Sequence, residues 1–191
     1  IFRKAMTEEI NKCIEVLENG GLILYPTDTV WGIGCDATNK EAVQKVFKLK
    51  QRDDSKALIC LVANDAMLEK HVEKVPDLAY DLIDLATKPT TIIYDKPRGV
   101  AENLIASDNT LAIRVASDKF CQYLIGKFKK PIVSTSANIS GTNTPKSFQN
   151  IDKAILSGVD YVVNLHREKQ NSSASSIIRL SNDNTVKIIR E

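Results

Sequence analysis

Apolar positions along this chain alternate between two periods. Ile10, Cys13, Ile14 and Leu17 follow the i, i+3, i+4, i+7 spacing of one helix face. Thr7 is placed to cap that helix and Gly20 to stop it. Residues 22–25 are continuously apolar and predict a buried strand, ended by Pro26, which cannot donate to a ladder. Thr38-x-x-Glu41 reads as a capping box opening a helix with Ala42, Val43, Val46 and Phe47 on one face. A second buried strand is predicted over 57–62, with helices around 66–72 and 77–85. Strands at 90–94 and 111–115, a helix at 119–128 and a strand at 131–135 follow. A helix over 148–156 and short strands over 161–164, 175–180 and 185–189 complete the pattern. The apolar-free run 168–173 predicts a mobile loop. The simplest account is a single α/β domain over residues 1–191, with a twisted mixed sheet flanked by helices.

Composition agrees with that account and narrows the function. The 191 residues fit one domain, and 43% hydrophobic with 26% charged residues are globular values. Charge is nearly balanced, 26 basic against 24 acidic residues, which argues against general affinity for nucleic acid or an anionic membrane. Cys13, Cys35, Cys60 and Cys121 form no C-x-x-C pair, and each lies in or beside an apolar segment. They read as buried reduced thiols of a cytoplasmic protein. His71 and His166 have no second ligand at metal spacing, so no tightly held zinc is expected. No apolar run reaches membrane-spanning length, and residues 1–5 lack a signal-peptide core.

Four segments carry candidate chemistry. In Tyr25-Pro26-Thr27-Asp28-Thr29-Val30-Trp31-Gly32-Ile33-Gly34, a strand runs into hydroxyls and glycines, either a plain polar turn or the ligand-binding mouth of a sheet. Lys50-x-Arg52, with Lys56 close behind, reads either as solvent-facing cations at a helix C-terminus or as a triphosphate clamp. Ser134-Thr135-Ser136-Ala137-Asn138 packs hydroxyls and an amide directly after a buried strand, where they need partners. Thr110-x-x-x-Arg114 lies on another predicted strand. Arg114 there needs an anion, which could be an internal carboxylate or a ligand's.

Together the Tyr25–Gly34 segment, Lys50-x-Arg52 and Ser136-x-Asn138 resemble the YrdC-type threonylcarbamoyl-AMP synthases, and the likeness runs from about residue 10 to residue 190. The resemblance implies a YrdC/RibB-like fold without the extra C-terminal domain of longer members. It implies an enzyme joining L-threonine, bicarbonate and ATP, with Mg²⁺, into threonylcarbamoyl-AMP and pyrophosphate. That product feeds the t6A modification of tRNA through downstream transfer proteins. By the same resemblance Thr27, Arg114, Ser134 and Ser175 would hold threonine, with Arg114 on its carboxylate. Lys50, Arg52, Lys56, Thr110, Ser136, Asn138, Thr144 and Arg190 would line the nucleotide side, Lys50 and Arg52 neutralising phosphate charge as it builds. The Mg²⁺ would ride on phosphates and water, so no protein metal cage is expected.

Members of the family are also described as binding double-stranded RNA, so the alternatives to this enzyme are a tRNA- or duplex-RNA-binding protein and a YrdC-like paralogue with weak or altered nucleotide chemistry. Two departures from the family pattern stand out. Lys88 replaces a glycine of the usual Pro-Gly-Pro, so the backbone there either needs no left-handed conformation or has been rebuilt. The segment before Ser175 is poor in glycine, and Ser176 stands where a threonine is usual.

Overall fold

In a computed structural model of the chain, which describes residues 1–170 and 173–191, the two periods resolve into alternating helices and strands. Helix α1 (Phe2–Glu18) leads to β1 (Ile23–Tyr25), β2 (Gly32–Gly34), α2 (Lys40–Lys50) and β3 (Ile59–Val62). Helices α3 (Asp65–His71) and α4 (Asp77–Asp84) precede β4 (Thr90–Asp95), a 3-10 turn (Glu102–Leu104) and β5 (Thr110–Val115). Next come α5 (Lys119–Phe128), β6 (Ile132–Ser136), a 3-10 turn (Phe148–Asn150) and α6 (Lys153–Gly158). Strands β7 (Tyr161–Val162), β8 (Ser176–Leu180) and β9 (Val186–Arg190) follow.

The strands form one mixed sheet in the order β7-β1-β2-β6-β3-β5-β4-β8-β9. The β1–β7, β3–β5 and β4–β8 pairs are parallel and the others antiparallel. Strands distant in sequence thus become neighbours. Pairing of β6 with both β2 and β3 brings Ser134–Ser136 beside Gly32 and Ile59.

Local chemistry moved several boundaries. Thr7 is not a cap: α1 begins earlier, and the Thr7 hydroxyl donates back to the Arg3 carbonyl. Gly20 does end the helix, at φ +72°, with its N–H donating to Leu17. The cap of α2 is Asn39 rather than Thr38, its side-chain oxygen accepting from the Ala42 N–H at 3.0 Å. Thr38 is diverted because its own N–H and hydroxyl both donate to Asp36 Oδ1, at 2.8 and 2.7 Å. The helix expected over 148–156 is broken by Asp152, whose carboxylate caps α6 through the Ala154 N–H. Lys88 is not among the residues with left-handed backbone, so a side chain is tolerated at that turn. Of the loop expected over 168–173, Asn171 and Ser172 lie outside the described residues.

Strand β2 was not foreseen, because two glycines read as a turn. Packing explains them. A Cβ on Gly34 would stand 2.6 Å from the Tyr25 ring and 2.9 Å from the Val133 carbonyl, contacts no ordinary side chain makes. The buried Tyr25 ring therefore lies over bare backbone, and its hydroxyl donates to the Val133 carbonyl at 3.0 Å.

The apolar core holds Tyr25, Trp31, Tyr94 and the inward faces of the helices, with α1 packed on α5. All four cysteines are free and buried within it. Burial raises Cys13 and Cys60 to about 12 and carries Cys35 and Cys121 well above the ordinary thiol value. No helix among the described residues is long and apolar enough to cross a membrane.

Candidate active site

A cavity of about 320 Å³ opens over the middle of the sheet. It is walled by the turn before β2, the residues after α2, and strands β3, β4, β5 and β6 with the β8–β9 end. Arg52, Arg114 and Arg190 all line it, and among the described residues no acidic side chain does. Ser134, Thr135, Ser136, Thr144, Thr29 and Ser175 add hydroxyls. The size suits a small ligand, and converging guanidiniums and hydroxyls suit an anionic one. Burial lowers the pKa of Arg52 and of Arg190, and Arg114 adds repulsion at Arg190. An anion entering the cavity would relieve that repulsion.

Arg114 projects from β5 and is 3% exposed. The internal carboxylate exists: Nη2 lies 3.0 Å from Asp28 Oδ1. The same arginine donates to Thr91 Oγ1 at 3.3 Å and to Thr29 Oγ1 at 3.4 Å. Its Nε has no hydrogen-bond partner among the described residues. Asp28 is itself held from the other side by the Ser117 hydroxyl and N–H, at 2.8 and 3.3 Å. The guanidinium is thus clamped on one edge while the residue still lines the cavity.

Lys50 departs most from the solvent-facing reading of the basic cluster. It is 1% exposed, and its Nζ donates to the Ser136 carbonyl at 2.5 Å and the Asn138 carbonyl at 2.8 Å. Burial, with Arg52 nearby, lowers its pKa to about 8. Asn138 is buried too, and its amide donates to the carbonyls of Ile139 and Thr142 at 3.2 and 2.9 Å. Lys50 and Asn138 therefore hold the turn after β6 instead of forming the cavity wall. Arg52 reaches the wall, steadied by the Ala57 carbonyl at 2.9 Å, whereas the exposed Lys56 does not.

Two other expected residues also stand off the wall. The Thr27 hydroxyl is taken up locally, donating to the Val30 carbonyl at 2.7 Å and accepting from the Thr29 N–H at 3.1 Å. Thr29, two residues on, lines the cavity in its place. Thr110 sits at the far end of β5 from Arg114, its hydroxyl donating to Asp108 Oδ1 at 2.6 Å. Ser175 does line the cavity: its carbonyl accepts from Arg190 Nε and Nη2 at 2.9 and 2.7 Å. Sequence reasoning did not single out Thr29, Thr91, Thr135 and Asp28 as site residues. Only the Thr-Asp-Thr cluster carried a hint. No group of three or more His, Cys, Asp or Glu among the described residues could hold a metal ion.

The family model described as telomere recombination, covering Sua5, YciO and YrdC proteins, matches residues 15–191. The chain belongs to the Sua5/YciO/YrdC family. A family relative from Methanocaldococcus jannaschii, named putative threonylcarbamoyl-AMP synthase, is 35% identical over 186 residues, 95% of this chain and 86% of its own. Among solved Sua5/YciO/YrdC structures, P. abyssi Sua5 complexed with L-threonine matches with TM-score 0.80 at 26% identity. That match covers 90% of this chain and 50% of the Sua5 chain, so the present chain spans half of that protein's length. E. coli YciO matches with TM-score 0.81 at 25% identity, over 95% of this chain and 88% of its own.

Proposed function

We propose that this chain is an L-threonylcarbamoyladenylate synthase, a nucleotidyltransferase that makes threonylcarbamoyl-AMP and pyrophosphate from L-threonine, bicarbonate and ATP. One observation carries the reading. Three arginines and a ring of hydroxyls converge on one cavity free of acidic side chains among the described residues, in a family with a member solved with L-threonine. All three substrates bring negative charge, and the cavity is built for anions.

Arg114, Ser134 and Ser175 receive threonine, and Arg52, Ser136, Thr144 and Arg190 receive the nucleotide. Thr27, Lys50 and Asn138 support this wall from behind, whereas Thr110 lies away from it. ATP enters with its Mg²⁺, which lowers the charge on the phosphates. The lining fits an ion carried by its substrate, since it offers hydroxyls and guanidiniums and no carboxylate. The neutral amine of threonine attacks bicarbonate carbon and water leaves, giving a carbamate. A carbamate oxygen then attacks the α-phosphorus as its bond to pyrophosphate breaks. The protein contributes by holding anions together and neutralising charge as it builds, with no covalent intermediate. The product serves t6A formation on tRNA by transfer proteins in the cytoplasm.

The deciding assay supplies ATP, L-threonine and bicarbonate and looks for pyrophosphate and threonylcarbamoyl-AMP. Valine replaces the substrate hydroxyl with a methyl, and a site that reads the hydroxyl should disfavour it by about a hundredfold or more. Equal turnover of valine would refute a hydroxyl-reading pocket. No product, together with salt-sensitive binding of duplex RNA, would replace the enzyme reading.

Arg52→Ala should lower kcat/KM at least about tenfold, the scale of one lost charge-assisted bond. Wild-type kinetics in that variant would remove Arg52 from the site.

A further inference from the structure

We propose that Thr91 is a positioning residue that turns the Ser175 hydroxyl into a hydrogen-bond donor aimed into the cavity, so that this end of the site accepts a carboxylate. The inference rests on the threonine-site reading above and adds a residue that lines no part of the cavity. Thr91 is fully buried on β4, between β5, which carries Arg114, and β8, which Ser175 precedes. Its hydroxyl oxygen accepts from Arg114 Nη1 at 3.3 Å and lies 2.8 Å from Ser175 Oγ.

The direction of that short contact follows from counting protons. The Thr91 oxygen already accepts from a guanidinium, and among the described residues Ser175 Oγ is the acceptor its own hydrogen meets. Thr91 therefore donates to Ser175. Arg190 Nη2 also donates to Ser175 Oγ, at 3.4 Å. With two donors pointing at it, the Ser175 oxygen directs its own hydrogen elsewhere. No acceptor for that hydrogen exists among the described residues, and Ser175 lines the cavity. Arg114, Ser175 and Arg190 then present donors only, which favours a carboxylate over a group carrying hydrogens of its own.

The experiment measures threonine and ATP kinetics, calorimetric threonine binding and thermal midpoints for wild type, Thr91→Val, Thr91→Ser, Ser175→Ala and Thr91→Val/Ser175→Ala. Thr91→Val keeps the shape of the side chain and removes the hydroxyl. It should raise the KM and Kd for threonine about five- to tenfold and leave kcat and the KM for ATP within about twofold. Thr91→Ser should restore wild-type values, and the double variant should bind threonine no worse than Ser175→Ala alone. Unchanged threonine binding in Thr91→Val would overturn the proposal. So would equal losses for threonine and ATP that serine does not rescue, or additive losses in the double variant. Failure of the wild-type protein to bind threonine at all would instead overturn the functional reading beneath it.

Discussion

Replacing Arg114 with glutamine should raise the KM for threonine about a hundredfold, because a carboxylate loses paired charge-assisted bonds, each contributing about 1.5–3 kcal/mol. The KM for ATP should barely move. The same change removes the ion-pair partner of Asp28, a 5%-exposed carboxylate. Breaking such a buried pair costs about 3–5 kcal/mol of stability. The two effects can be separated. Asp28→Asn added to Arg114→Gln should recover much of the stability, since both charges of the buried pair are then removed together, without recovering threonine affinity. Chemical denaturation and steady-state kinetics on both variants provide the check. If threonine affinity returned along with stability, Arg114 would be a structural residue and the carboxylate would bind elsewhere.

Lys50→Met carries the second large effect. It removes the donor to two carbonyls of the turn after β6, each costing about 1–3 kcal/mol when left unmet. The turn bears Ser136 and continues toward Thr144, both on the cavity wall. A displacement of about 1 Å there should cut kcat/KM by about a hundredfold. A pH signature accompanies it. The folded pKa of Lys50, about 8, lies below its ordinary 10.5, so the unfolded chain binds more protons between those values. Stability from this group should therefore rise as pH climbs from about 8 toward 10.5, and methionine should abolish that rise. A neutral amine still has two hydrogens, enough for the two carbonyls. Denaturant midpoints across that range, identical in slope for both proteins, would refute the lowered pKa of Lys50.

The residue pattern carried most of the helices and the strands other than β2, because apolar periodicity reports burial directly. It lost β2, where Gly32 and Gly34 are forced by the approach of Tyr25 and Ser134 rather than by a turn. It misplaced the α2 cap because Asp36, two residues before Thr38, competes for that threonine's N–H and hydroxyl. At the site, the motifs delivered the segments and left open which side chain of each segment faces inward. Thr27 and Thr29 differ only in that the first closes its own turn. Lys50 and Arg52 are two residues apart yet lie on opposite sides of the wall, one buried behind it and one upon it. Such choices depend on register and on partners distant in the chain, such as Thr91, which local spacing does not encode.

The four sealed thiols give this protein a built-in reporter. Each is buried and held in the unreactive protonated form, Cys13 and Cys60 raised to about 12 and the others well above the ordinary thiol value. An alkylating reagent at neutral pH therefore counts molecules that have opened. Cys13 lies in α1, Cys35 follows β2, Cys60 lies in β3 and Cys121 in α5, so each residue clocks a different region. Equal modification rates at all four would mean that the chain opens as one unit, and a fast Cys13 alone would mean that the first helix detaches ahead of the sheet.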